Sequence, residues 1–249
     1  MPFRLMEELS CEVAGAENEH LLYRALSHAS WRMGFDHFAL AYDRWSSSQD
    51  GLLVHNYPDE WAKVYVGFDL RGADPIRRAG ERSMTGFAWR RQLAGLITLT
   101  QGDHQMLFVG RENGIGDGFT VPRHLPGEAS GSCSFVVGPD KDLPGEMFHV
   151  AEIIGAFALA RARHINGAAP PKSRPVLSER QRECVLWSAR GKTAGEIATI
   201  LGIGQVTVIR HLKIARERYD VHCGQALILC ALFDGLIGFG DIFDWRRMN

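Results

Sequence analysis

Apolar residues recur at helical spacing over residues 5–33: Leu5, Leu9 and Val13, then Leu21, Leu22, Ala25, Leu26 and Ala29, with Gly34 ending the run. Two short apolar runs follow, 37–42 (HFALAY) and 52–55, split by the polar, glycine-bearing stretch 46–51, and this pattern predicts a hairpin. After Tyr57-Pro58 the pattern turns helical again, because Pro58 suits a first helical position and Asp59 and Glu60 complement a helix N-terminus. Asp74-Pro75 repeats that start signal. Residues 84–89 read as a third strand, and 103–113 as a helix stopped at Asn113-Gly114. Runs 118–125 and 132–137 alternate around Pro126-Gly127, which predicts a second hairpin. Residues 145–163 form an amphipathic helix with Phe148, Ile153, Ile154, Phe157, Leu159 and Ala160 as its apolar positions.

The stretch 164–176 (HINGAAPPKSRPV) has no periodicity and is rich in Pro, Gly and Ala, the signature of a linker. Three short helices then follow. Ser178 with Gln181 forms an S-x-x-Q capping box ahead of Cys184, Val185 and Trp187, and Gly191 stops that helix. Thr193 caps a second helix with Ile197, Ala198 and Leu201 inside, Gly202-Ile203-Gly204 makes a tight turn, and a third helix runs over 205–219. Its buried stripe is Val208, Leu212, Ala215 and Tyr219. A fourth helix is expected over 224–239, where Ala226, Leu227, Leu229, Cys230, Leu232 and Phe233 cover more of the circumference than one core contact needs, as at a subunit contact.

These elements predict an α+β chain. Its N-terminal part (1–165) is an α-β-α sandwich around a central antiparallel sheet. A linker (166–176) joins it to an all-α, four-helix helix-turn-helix domain (177–249).

With 249 residues and 45 % hydrophobic content the chain has ample material for cores in one or two domains. Charge sharpens the division. Residues 172–218 hold ten Lys/Arg against four Asp/Glu, a net of +6, whereas 1–171 hold sixteen against twenty-one, a net of −5. A basic module behind an acidic one is the footprint of a DNA-binding segment carried by a partner that does not bind DNA. Cys11, Cys133, Cys184, Cys223 and Cys230 are scattered and form no C-x-x-C pair, which speaks against a disulfide scaffold or a zinc site and suits a reducing cytoplasm. The opening MPFRLMEELS has no apolar core and no run approaches a membrane span, so we expect a cytoplasmic protein without a membrane partner.

Two constellations carry chemistry. On the third helix of the basic segment, Arg210, Lys213, Arg216 and Arg218 are cationic, with Gln205, Thr207 and His211 as polar neighbours, and a basic second helix after a glycine turn suits the major groove. A solvated basic face on an ordinary bundle would look the same. Upstream, Tyr57, Trp61 and Tyr65 lie four apart and share a helix face, an apolar wall that carries an indole N–H and two phenol O–H groups. With Asp74, Trp89 and Ser134 they could hold a ligand that offers an amide N–H, carbonyls and a hydrocarbon tail. By residue type alone, aromatics on a helix are more often core, and Asp before Pro is more often only a helix start.

The segment 177–221 resembles the DNA-binding domain of the LuxR family, whose usual form is LTxREREVLxxxAxGKTxxEIAxxLxISxxTVxxHLxxIxxKLxV. It matches at Leu177, Arg180, Glu183, Gly191-Lys192-Thr193, Glu196-Ile197-Ala198, Leu201, Ile203, Thr207-Val208, His211-Leu212 and Val221. Gln181 replaces the common Glu, Gly204 the usual Ser cap, and Ile209 a frequent basic residue, which shifts the expected base contacts to Lys213, Arg210 and Gln205.

Upstream, Y-x3-W-x3-Y-x8-D-P, then Trp89 and Gly118-Phe119-Thr120-Val121-Pro122, resembles the autoinducer-binding domain of the same family's quorum-sensing receptors. The resemblance implies an N-acyl-homoserine lactone as ligand and no other cofactor. Trp61 would donate to the lactone carbonyl, Asp74 accept from the amide N–H and Tyr57 donate to the acyl carbonyl. Ser134 would assist at the acyl group, and Tyr65 and Trp89 would pack on ring and chain. Ile76 stands where some members have Thr, so a hydrogen bond from that position is missing. The resemblance also implies a homodimer on a two-fold-symmetric DNA site, and leaves RNA polymerase open as a partner. A receptor for another small molecule, or for none, is the alternative. An enzyme is disfavoured, because H-x-x-E-H, H-E-x-x-H, G-x-S-x-G and a Gly-rich phosphate loop are all absent. The first part also lacks the alternating strand and helix units of a response-regulator receiver.

Overall fold

In a computed structural model of the protein, residues 2–42, 51–67, 74–124, 130–166 and 175–243 are described. Their elements form two units, one ending with the helix that closes at Ile165, the other made of the helices after Pro175. The predicted linker lies mostly outside the described residues.

The first unit opens with α1 (Pro2–Ala14) and α2 (Glu19–Arg32), so the run read as helical over 5–33 is two helices. The Asn18 side chain accepts the Leu21 N–H and thereby starts the second one. Strands β1 (His37–Tyr42) and β2 (Leu52–His55) are the first antiparallel pair, and β4 (Asp117–Arg123) and β5 (Gly131–Val137) the second. The stretches that connect each pair, including Pro126-Gly127, lie outside the described residues.

Between the pairs come α3 (Asp59–Gly67), α4 (Pro75–Gly80), β3 (Phe87–Ala88), α5 (Trp89–Leu96) and α6 (Gln101–Glu112). The third strand, expected over 84–89, shrinks to two residues. The Gln92 side chain takes the Ala88 N–H at 2.7 Å, which ends the ladder, and Trp89 already begins a helix. The five strands order as β2-β1-β5-β4-β3, and all pairings are antiparallel.

One face of the sheet is covered by α1, α2 and α7 (Phe148–Ile165). Phe38, Leu40, Tyr42, Phe119, Val121, Cys133, Phe135 and Val137 point into this layer and meet Leu9, Val13, Leu22, Leu26, Ile154 and Leu159. The buried face of α7 is Val150, Ala151, Ile154, Gly155, Ala158, Leu159 and Ala162, whereas the expected core residue Phe157 is 43 % exposed. Short side chains let α7 sit close to the strands, and the larger ring is turned outward.

The second unit comprises α8 (Glu179–Ala189), α9 (Ala194–Leu201), α10 (Gln205–Arg218), α11 (Gly224–Phe233) and α12 (Phe239–Ile242). The predicted Ser178–Gln181 capping box closes, and Thr193, expected only as a cap, forms a second box with Glu196. Val185, Ala215, Leu227, Ala231 and Ile237 make one core, and Cys184, Ile197 and Val208 another. The expected fourth helix, α11, stops at Phe233, not 239. Gly235 adopts φ 68° and donates to the Leu232 carbonyl, while Leu236 N–H reaches Ala231 at 2.9 Å, the hydrogen-bond pattern of a helix end with an apolar residue folded back over it. Among the described residues no single helix is long and apolar enough to cross a membrane, and no group of His, Cys, Asp or Glu could hold a metal ion.

Candidate functional site

The other face of the sheet is hollow. The strand pattern that sends Phe38, Leu40 and Tyr42 to the packed side sends Ala39 and Ala41 to this one, and β5 adds Ser132 and Ser134, paired in register with Ala41 and Ala39. These short side chains floor a cavity of about 450 Å³. Its walls come from the stretch into α3 (Tyr57, Trp61, Tyr65), the start of α4 (Asp74, Ile76), α5 (Trp89, Leu93) and α6 (Met106, Leu107, Arg111). All seven residues expected to meet a ligand, Tyr57, Trp61, Tyr65, Asp74, Ile76, Trp89 and Ser134, therefore border one space.

Asp74 is the polar centre. It is 8 % exposed, and both oxygens are engaged: Oδ1 accepts the Ile76 N–H at 2.8 Å and caps α4, and Oδ2 accepts the Tyr65 O–H at 2.7 Å. Burial pushes the carboxyl above its ordinary range, and the Tyr65 and Ile76 donors, with the charge of Arg77, only partly reverse that. Burial and the neighbouring carboxylate also push the Tyr57 and Tyr65 phenols far up, so both remain O–H donors at neutral pH. A carboxylate offers about four lone-pair positions, so Asp74 retains capacity for a further donor. Neither the Trp61 indole N–H nor the Tyr57 hydroxyl has a hydrogen-bond partner among the described residues. The Trp61 and Tyr57 donors thus stand beside the Asp74 acceptor at one cavity.

Two of these residues are also held by protein partners. Tyr65 restrains the carboxylate. Trp89 lies flat against β4, where a Cβ on Gly118 would come within 2.6 Å of its ring, so only glycine fits there. Its Nε1–H is given to Thr120 Oγ1 at 2.8 Å, and that oxygen is 2.7 Å from Ser134 Oγ. Thr120 was missed as a site residue. The alternation within GFTVP puts it on the same face as Gly118, but its pairing with Ser134 depends on the β4–β5 register. His55 was also missed. Burial lowers its pKa, and its Nδ1 accepts the Tyr57 N–H at 3.3 Å.

In the second unit α9 and α10 are set 107° apart around Gly202, which takes the left-handed φ of 66°. Gln205, Thr207, Arg210 and Lys213 are exposed on α10, whereas His211 and Arg216, expected in the same set, are half-buried. His211 Nδ1 is enclosed without a partner among the described residues. Lys213 lies 3.8 Å from Glu217, a loose, exposed pair of little energetic weight. Arg218 is employed structurally, donating to the Val176 carbonyl and the Gln181 side chain. Gly204 caps the helix without a side-chain acceptor, and Val206 and Ile209 are 81 % and 50 % exposed between the polar positions. On α11, Leu229 is 67 % exposed.

Comparison with known proteins matches residues 18–164 to the autoinducer binding domain and residues 175–231 to the luxR family of bacterial regulatory proteins. The chain is 27 % identical over 202 residues to the transcriptional activator protein AhyR of Aeromonas hydrophila, covering 78 % of each chain. It is 29 % identical over 185 residues to the quorum sensing-dependent transcriptional regulator RpaR of Rhodopseudomonas palustris, covering 74 % of each. Among solved structures it is similar in fold to Escherichia coli SdiA, with a TM-score of 0.63 at 21 % identity over 97 % of this chain and 99 % of that one.

Proposed function

Because the chain belongs to the LuxR family of autoinducer-binding transcriptional regulators, we propose that its first unit binds an N-acyl-homoserine lactone and that occupancy controls DNA binding by the second. The observation that carries the reading is the convergence of Asp74, Trp61 and Tyr57 on one cavity. A buried carboxylate selects for a donor such as the amide N–H, and the Trp61 and Tyr57 donors suit the lactone and acyl carbonyls on either side of that amide. Ala39, Ala41, Leu93, Met106 and Leu107 offer apolar surface to the chain. At about 450 Å³ the space falls within the roughly 300–1,000 Å³ usual for small-molecule sites.

Binding adds apolar contacts to a layer that is otherwise hollow, and mass action then favours the folded form by about 2.7 kcal/mol at a hundredfold excess over Kd. The second unit would engage a two-fold-symmetric site as a homodimer, with the exposed Leu229 face of α11 as a subunit contact and RNA polymerase as a further partner. Gln205, Arg210 and Lys213 are our base-reading candidates, with Thr207, His211 and Arg216 supporting them. Lys213→Ala or Arg210→Ala should weaken specific binding by roughly 1–3 kcal/mol with relaxed preference at one base pair. A uniform loss across sequences in a titration at fixed salt would reassign that residue to phosphate.

Thermal unfolding with a series of N-acyl-homoserine lactones tests the ligand. We expect the Tm to rise for at least one acyl length, and the rise to shrink in Asp74→Asn and Trp61→Phe. No rise for any lactone would sink the proposal. A second reading, a different ligand or none, draws on the fact that both Asp74 oxygens already have protein donors. An undiminished response in both variants would favour it.

A further inference from the structure

Hydroxyl bookkeeping around Ser134 fixes a direction. Thr120 is fully buried at 0 % exposure, and its hydroxyl has two neighbours among the described residues, the Trp89 indole and the Ser134 hydroxyl. The indole nitrogen can only donate, so Thr120 Oγ1 accepts from it. Thr120 has one proton of its own to place, and Ser134 Oγ is the acceptor within reach. Were Ser134 to donate instead, the Thr120 proton would be left buried without an acceptor, which costs roughly 1–3 kcal/mol. The chain therefore runs one way, from Trp89 N–H to Thr120 to Ser134. Ser134 borders the cavity and has no other hydrogen-bond partner among the described residues.

We propose that Thr120 is a positioning residue for the ligand. The Trp89–Thr120–Ser134 relay commits the Ser134 hydroxyl to donating into the cavity, so that the site selects molecules with an oxygen acceptor, the acyl carbonyl of an amide or an oxo group on the adjoining chain, opposite β5. Each link polarises the next, which strengthens the terminal donor. The relay also gives Trp89 a task besides walling the cavity, and accounts for Gly118, the one residue that lets the indole lie close enough to β4 to reach Thr120. The inference rests on the lactone reading for the identity of the acceptor.

The test measures Kd of N-octanoyl-homoserine lactone and its 3-oxo analogue for the full chain as wild type, Ser134→Ala, Thr120→Val, Thr120→Ser and the Ser134→Ala/Thr120→Val double variant. Loss of one neutral hydrogen bond should weaken binding about 3- to 10-fold in Ser134→Ala. Thr120→Val should match that loss although residue 120 borders no ligand, Thr120→Ser should restore wild-type affinity, and the double variant should be no weaker than Ser134→Ala. Wild-type affinity in Thr120→Val, equal loss in Thr120→Ser, or losses that multiply in the double variant would each overturn the relay. If the wild type binds neither lactone, the pair is replaced by the acyl length that raises the Tm most, and if no acyl length raises it the ligand reading falls, and the relay's target with it. Tm values of the ligand-free variants separate a binding loss from a folding defect: a loss of affinity that tracks a lowered Tm, and is not rescued by Thr120→Ser, counts against positioning.

Discussion

The two faces of the sheet are built by the same strands and do opposite things. On one face Phe38, Leu40, Cys133 and Phe135 are completely buried in a layer closed by three helices. On the other, the residues between them, Ala39, Ala41, Ser132 and Ser134, are short and leave a hollow that aromatic side chains border without filling. The hollow is therefore a property of side-chain size at alternate positions. One face stores the stability that lets the other remain open.

Three substitutions probe this division, in decreasing order of effect. Phe135→Ala should lower the stability of the ligand-free first unit by about 3–5 kcal/mol, because it opens a void in a close-packed layer. Equilibrium denaturation reads this directly, and a loss below about 1 kcal/mol would show the packed face to be looser than described. Ala41→Phe should do the reverse: it leaves the ligand-free unit as stable or more so, and forces any ligand to compete with the ring at a cost of roughly 1–3 kcal/mol of affinity. Destabilisation by Ala41→Phe would mean the open face is already packed.

Asp74→Asn is the smallest and most selective change. Asn keeps one oxygen to cap α4 and turns its NH2 group toward Tyr65, whose hydroxyl oxygen can accept from it, so the fold should persist while lactone affinity falls by about 1 kcal/mol, the difference between a hydrogen bond to a charged acceptor and one to a neutral acceptor. The pH dependence has a definite sign. A carboxyl whose folded pKa is raised contributes stability that is complete below its unfolded value and is lost as pH rises through the folded value. The ligand-free wild type should therefore lose stability relative to Asp74→Asn as pH climbs above the ordinary carboxylate range. Parallel curves for the two proteins would contradict the burial of that charge.

Much of this organisation was legible from local chemistry. The capping box at Ser178, the cap at Thr193, the tight turn at Gly202 and the alternation in HFALAY each depend on residues within a few positions of one another, and each is found in the structure. The departures arise from longer-range effects. Residues 84–89 have strand composition, but the Gln92 side chain removes the Ala88 donor. The apolar run from Ala226 onward continues through Leu236-Ile237, which masked the stop at Gly235, although a glycine followed by an apolar pair is itself a stop signal. Phe157 lies off the buried face of α7, which is set by Val150, Ala151, Ile154, Gly155, Ala158, Leu159 and Ala162, so helical phase turns its ring outward. The aromatic wall and Asp74 could be proposed from spacing, whereas Thr120 could not, since its partner lies 14 residues away across a strand register that only folding sets.

Asp74 does two jobs with the same pair of atoms. The oxygen that fixes the first turn of α4 and the oxygen that restrains Tyr65 belong to the group best placed to recognise a guest. Replacing it with an apolar side chain would loosen the wall of the chamber while altering what the chamber admits, so new selectivity is easier to reach from its rim and floor than from its most informative residue.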